Sequence, residues 1–139
     1  RGNAAQRERA VRDYGDALGI AFQIVDDILD YGGSDTVIGK NTGDDFRERK
    51  LTLPLIKAVA KATPEERAFW VRVIEKGDQR DGDLAQAMVI LQRHTAISAC
   101  RADALAWTAR AKSALGNLPV HPLRETLLEL ADFVVSRVS

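Results

Sequence analysis

Asp26, Asp27 and Asp30 stand close together in the run Phe22-Gln23-Ile24-Val25-Asp26-Asp27-Ile28-Leu29-Asp30. Apolar residues at spacings of three and four put this run on a helix. At about 100° per residue, Asp26 and Asp30 share one flank, with Asp27 leaning off to the side. Like charges four apart destabilise a helix by a few tenths of a kcal/mol. No basic side chain lies between Tyr14 and Gly39 to relieve them. The acids also sit near the helix C-terminus, where the macrodipole disfavours anions. Several penalties in one place point to a cation from outside. Three carboxylates without His or Cys are hard oxygen donors, suited to Mg²⁺ that keeps part of its water and binds a substrate phosphate. A solvated acidic face and a Ca²⁺ site are the competing readings; the Gly-centred loop of an EF-hand is absent.

The opposite charge follows. Gly39-Lys40 and Asp44-Asp45-Phe46-Arg47-Glu48-Arg49-Lys50 place bases on the next loop and its exit. Lys40 can reach a phosphate as a flexible point charge, and Arg47, Arg49 or Lys50 can grip one in the same way. Acids for a metal beside bases for an anion describe a metal–diphosphate site.

The elements that must position these groups read as helices throughout. Residues 4–31 keep Val11, Tyr14, Leu18, Phe22, Val25 and Leu29 at helical spacing until Gly32-Gly33. Ser34 to Phe46 shows no period and is predicted to be a loop, long enough to suggest function. A second helix covers about 51–62, with Pro54 in its first turn. Thr63-Pro64-Glu65-Glu66 is a start signal for a helix ending at Gly77. Further helices are predicted over 81–92, 95–115 and 122–138. With no convincing strand, the fold class is all-α.

Composition removes other classes. The 139 residues carry 20 Lys plus Arg and 20 Asp plus Glu, so the net charge is zero, unlike a nucleic-acid binder that works by bulk positive charge. Arg7, Arg9 and Arg12 read as a solvated face, without the aromatic platform of a single-strand binder. No apolar run reaches membrane-helix length, and the start has neither a signal-peptide core nor an initiator Met. Cys100, the single cysteine, is predicted to be a small buried or half-buried side chain and not a nucleophile. His94 and His121 have no partner at metal-ligand spacing. Trp70, Met88 and Trp107 read as packing. The expected location is cytoplasmic.

Phe22–Asp30, then Gly39-Lys40, then Gly43-Asp44-Asp45-Phe46-Arg47-Glu48-Arg49-Lys50-Leu51-Thr52-Leu53-Pro54-Leu55, together resemble the second aspartate-rich region of the trans-isoprenyl diphosphate synthases, or polyprenyl synthetases, and the long-chain bacterial members above all. Leu130-Ala131-Asp132-Phe133-Val134-Val135-Ser136-Arg137 is similar to their C-terminal helix. The resemblance covers nearly the whole chain. It implies an all-α bundle of the isoprenoid synthase type around a central cavity, built as a homodimer. It also implies condensation of an allylic diphosphate with isopentenyl diphosphate to a longer trans-polyprenyl diphosphate, with Mg²⁺ as cofactor. Asp26, Asp27 and Asp30 match the second DDxxD motif, with Asp26 and Asp30 expected on Mg²⁺ bridging the allylic diphosphate. Lys40 and Lys50 match the bases on that diphosphate, Asp45 an acid that organises metal-bound water, and Gln23 a polar neighbour. Phe22 is expected near isopentenyl diphosphate. Asp44 departs from relatives and takes no role.

One departure matters most. The family carries two acidic motifs, and this chain has only the second; Asp78-Gln79-Arg80-Asp81-Gly82-Asp83 is a Gly-interrupted turn read as solvated capping. Residues 1–139 are therefore expected to be the C-terminal part of a single isoprenoid synthase domain, inactive alone. The alternatives are a non-catalytic homologue acting as a helical regulatory or interaction subunit, and a terpene cyclase. The cyclase is disfavoured because this chain keeps plain aspartates where cyclases carry an Asn/Ser/Glu-type motif.

Overall fold

The computed structural model describes residues 3–32 and 42–138. Among them every regular element is helical: α1 (Asn3–Asp30), α2 (Asp44–Arg47), α3 (Leu53–Ala60), α4 (Pro64–Trp70), α5 (Asp83–Arg93), α6 (Ala96–Ala114) and α7 (Pro122–Ser136). The all-α expectation holds. The chain divides into two compact units, one made of residues up to Val25 with those from Arg101 onward, the other of Asp26–Cys100.

In the first unit, the α1 stripe of Tyr14 and Ala17 packs with Ala111, Leu115 and Ala131, and Trp107 and Leu127 close around them. Small alanines at the contacts let helix backbones approach closely while Tyr14 and Leu115 fill the space between. The Tyr14 hydroxyl donates to the Leu127 carbonyl at 2.7 Å, which answers a polar atom that this packing carries inward. Lys112 pairs with Asp132 at 2.7 Å on the surface, and the Arg101 guanidinium donates to the Val138 carbonyl. Cys100, where α6 crosses from one unit to the other, is fully buried.

The second unit is built on Phe46, Leu55, Trp70, Val73, Ile90 and Leu91, with Met88 packed against them. Its helix starts follow local chemistry. At α4, Glu66 N–H donates to Thr63 Oγ1 at 3.1 Å, and Thr63 N–H donates to Glu66 Oε1 at 2.9 Å. That reciprocal box, with Pro64 in the first turn, satisfies donors that any helix start leaves open. Pro54 sits in the first turn of α3, as its missing N–H requires.

Three expectations need adjusting. The loop expected over Ser34–Phe46 lies outside the described residues as far as 41, and its last part is helical, because α2 forms at Asp44–Arg47 and buries Phe46. The helix from Pro64 does not stay α-helical to Gly77: Val71–Glu75 form a π turn. Asp83 is not solvated. It is 8% exposed, holds Arg72 in two parallel bonds at 2.9 and 3.0 Å and accepts the Arg80 N–H at 2.7 Å, so it caps the turn from a buried position, while Asp78, paired with Arg80, and Asp81 stay on the surface. Between α5 and α6 the chain turns at His94 and Thr95, and Thr95 takes a left-handed φ of 51°.

Candidate active site

The acidic cluster forms where α1 ends. Asp27 and Asp30 are 8% and 3% exposed, and Asp26 is half-buried. Burying carboxylates is costly unless something answers their charge. Part of the answer comes from Gly43 and Asp45. Gly43 N–H donates to the Asp30 carbonyl at 2.8 Å, and Asp45 N–H donates to Asp30 Oδ2 at 3.0 Å. Gly43 stands at the N-cap of α2 with a left-handed φ of 86° and no side chain to offer. Asp30, fifteen residues away in sequence, supplies the capping oxygen instead.

That bond carries Asp45 to the cluster. Its carboxyl is pushed up from 3.8 by burial first, and then by the charges of Asp30, Asp27 and Asp26, against a lowering pull from Lys50. Asp45 is therefore coupled to the acids at the end of α1, and Lys50 opposes its rise. Lys50 Nζ lies 3.9 Å from Asp45 and 3.0 Å from Glu48, whose hydrogen bond leads in holding the Lys50 ammonium above its ordinary range. Lys50 is exposed and can swing toward an anion at little cost.

The remaining bases divide differently from the sequence expectation. Arg49, with a left-handed φ of 62°, donates through its guanidinium to the carbonyls of Ile74 and Glu75. It caps the end of the π turn and does not reach toward a phosphate. A Cβ on Gly77 would sit 3.0 Å from that guanidinium. Arg47 pairs with Asp44 at 3.1 Å on the surface. Gln79 then ties the pieces together, donating to the carbonyls of Phe46 and Val73 at 2.8 and 3.0 Å. Lys40 lies outside the described residues. Phe22 and Gln23, on the α1 segment of the other unit, are both exposed, with Phe22 at 51%.

Tyr31 had no signal in the sequence beyond its place after Asp30. It is buried, its hydroxyl has no hydrogen-bond partner, and burial with the charges of Asp30, Asp45 and Asp27 pushes its pKa far up. It stays a neutral donor beside the acids.

Among the described residues, no three His, Cys, Asp or Glu side chains converge on one point as a closed metal cage. The physical reason lies in the helix and the cap: Asp27 leans away from the flank shared by Asp26 and Asp30, and Asp30 commits Oδ2 to Asp45. The donor set is still all hard oxygen and strongly negative. It fits a cation that fills most of its shell from water and phosphate.

Comparison with known proteins agrees with this architecture. The sequence profile of the family described as Polyprenyl synthetase matches residues 1–91. The chain is 35% identical over 136 residues to the octaprenyl diphosphate synthase of Haemophilus influenzae, covering 98% of this chain and 41% of that protein. It is 38% identical over 144 residues to the Escherichia coli octaprenyl diphosphate synthase, covering 98% and 42%. Among solved structures, a decaprenyl diphosphate synthase from Rhodobacter capsulatus superposes with a TM-score of 0.91 at 63% identity, covering 97% of this chain and 42% of that one. A polyprenyl synthase of Caulobacter crescentus, solved with calcium and isoprenyl diphosphate, gives 0.87 at 45% identity over 97% and 41%. The chain spans about two-fifths of the length of the curated relatives it matches. The DDxxD run, the helical fold that presents it and these relatives converge: the chain belongs to the polyprenyl synthetase family.

Proposed function

We propose that this chain carries one half of a prenyl-transfer site, the half that holds the diphosphate of an allylic substrate. The observation that carries the reading is the bond from Asp45 N–H to Asp30 Oδ2, which brings Asp45, with Lys50 beside it, to the end of the helix that carries Asp26, Asp27 and Asp30. Asp26 and Asp30, with Asp27 alongside, would hold Mg²⁺ through carboxylate oxygens. Bound there, the metal would neutralise charge on a departing diphosphate. The chain's own residues do the rest. Asp30, fixed by the Asp45 amide, presents its other oxygen in a set direction, so less ordering remains when substrate arrives. Lys50 and Lys40 meet the diphosphate as cations, Asp45 orders water at the metal, and Gln23 hydrogen-bonds beside them. Phe22 flanks isopentenyl diphosphate, the second substrate. Tyr31 offers a buried donor behind the acids. No His is needed, because the released diphosphate can take the final proton.

On this reading, the reaction joins an allylic diphosphate to isopentenyl diphosphate and gives a longer trans-polyprenyl diphosphate. The chain is the C-terminal part of a cytoplasmic homodimeric synthase, and the first acidic motif stands on residues beyond these 139. The chain alone would then bind diphosphate without turning it over.

Calorimetric titration with inorganic diphosphate, with and without Mg²⁺, tests this. Saturable binding that requires Mg²⁺ and is lost in Asp26→Asn and in Asp30→Asn is the expected result. A helical regulatory subunit would bind in neither condition. Prenyl transfer by the purified chain would overturn the half-site reading.

A further inference from the structure

The first unit holds a cleft of about 300 Å³ where the start of α1 meets the segment entering α7. That volume is at the lower end for ligand clefts. Val11, Leu118, Pro119 and Leu123 wall it, and Arg7 and Arg124 stand among them. The Tyr14–Leu127 hydrogen bond fixes the two sides against each other. His121, at the N-cap of α7, accepts from Leu123 N–H at 3.0 Å through Nδ1, which orders the entry loop.

Two features coincide in this cleft. Its walls are left uncovered: Leu123 is 60% exposed and Val11 51%, with Val120 at 85% on the adjoining loop. Its cations are also unanswered. Arg7 and Arg124 make no ion pair among the described residues, while neighbouring Glu8 is taken by Arg12 at 3.7 Å. Arg124 Nε is buried with no hydrogen-bond partner, a donor that costs free energy until an oxygen meets it.

We propose that this cleft binds a single-chain amphiphile with a phosphate head. The apolar walls take the hydrocarbon chain, and the two guanidiniums take the head, a dianion that matches two cations better than a carboxylate would. The site lies wholly within the first unit and shares no residue with the acidic cluster, so it stands or falls separately from the prenyl-transfer reading.

The probe is dodecyl phosphate below its micelle concentration, titrated calorimetrically into the 139-residue chain in magnesium-free buffer. Without metal the acidic cluster repels phosphate and contributes nothing. We expect one saturable site, weakened about tenfold or more in Arg7→Gln/Arg124→Gln and also in Leu123→Gln, and a similarly weak response to uncharged dodecanol. All three positions are exposed or half-buried, and unchanged circular dichroism checks the fold. Sedimentation with phosphatidylcholine vesicles that carry lysophosphatidic acid, against phosphatidylcholine vesicles alone, separates the sources of the amphiphile. Retention that needs lysophosphatidic acid and is lost in the double arginine variant identifies a membrane-borne single-chain lipid; dodecyl phosphate binding without retention identifies a free amphiphile. No saturable binding, or binding that the double variant keeps at full strength, overturns the proposal.

Discussion

The Asp30 carboxylate and the Asp45 backbone amide lie 3.0 Å apart and join the end of one helix to the beginning of another. One oxygen thus does two things. It ends the search of α2 for an N-terminal acceptor, and it fixes the torsion of a side chain that must face a cation.

Asp30→Ala and Asp30→Asn should separate these roles. Alanine removes a hydrogen bond to a charged acceptor, worth about 1.5–3 kcal/mol, and frees α2; asparagine keeps an acceptor oxygen and should cost about 1 kcal/mol. Thermal unfolding reads the difference, and amide hydrogen exchange at Asp45 should speed up in the alanine variant far more than in the asparagine variant. Equal effects on both would mean that the bond contributes charge alone and no geometry.

Gly43→Ala should destabilise the chain for two separable reasons. The left-handed backbone costs an L-residue about 1–2 kcal/mol, and the new Cβ would lie 2.6 Å from a Leu84 methyl carbon. Adding Leu84→Ala should remove the clash, yet the double variant should remain less stable than Leu84→Ala alone by about the backbone cost. Full recovery would show that Gly43 is needed only for space.

Glu66 gives a pH dependence with a fixed sign. Its carboxyl is lowered from 4.5 to about 2, first by the Thr63 N–H, then by His94 and Arg93. The folded value lies below the unfolded one, so the contribution is complete above about pH 4.5 and is lost as pH falls toward 2. Unfolding midpoints of the wild type should therefore drop across that window. Glu66→Gln, which keeps the capping geometry without the charge, should flatten the drop; an unchanged acid profile would refute the assignment.

Much of this was legible in the sequence because the signals are local. Thr63 and Glu66 bond to each other within one turn, so a sequence window contains the whole interaction. The spacing of Asp26 and Asp30 likewise fixes their shared flank before any packing is known. What the sequence hid depends on contacts between distant residues. Arg49 reads as one more phosphate-binding base until the carbonyls of Ile74 and Glu75 are seen to occupy it. Asp45 enters the cluster only because Asp30 caps a helix whose own N-cap is glycine. The π turn at Val71–Glu75 follows a sound helix-start signal and a stop at Gly77, and nothing in the apolar spacing between them announces a widened turn.

Thr95 holds a conformation that a β-branched residue enters only under strain, with its hydroxyl donating to the adjacent His94 carbonyl at 2.7 Å. The turn from α5 to α6 is thus made by an ill-suited residue, and the chain keeps a reserve of stability it has not drawn on. Thr95→Gly should raise the melting temperature, by an amount equivalent to about 1 kcal/mol, with no change at Asp26, Asp30 or Asp45. For an engineer, this corner is the natural first place to harden the scaffold before its charged residues are altered one at a time.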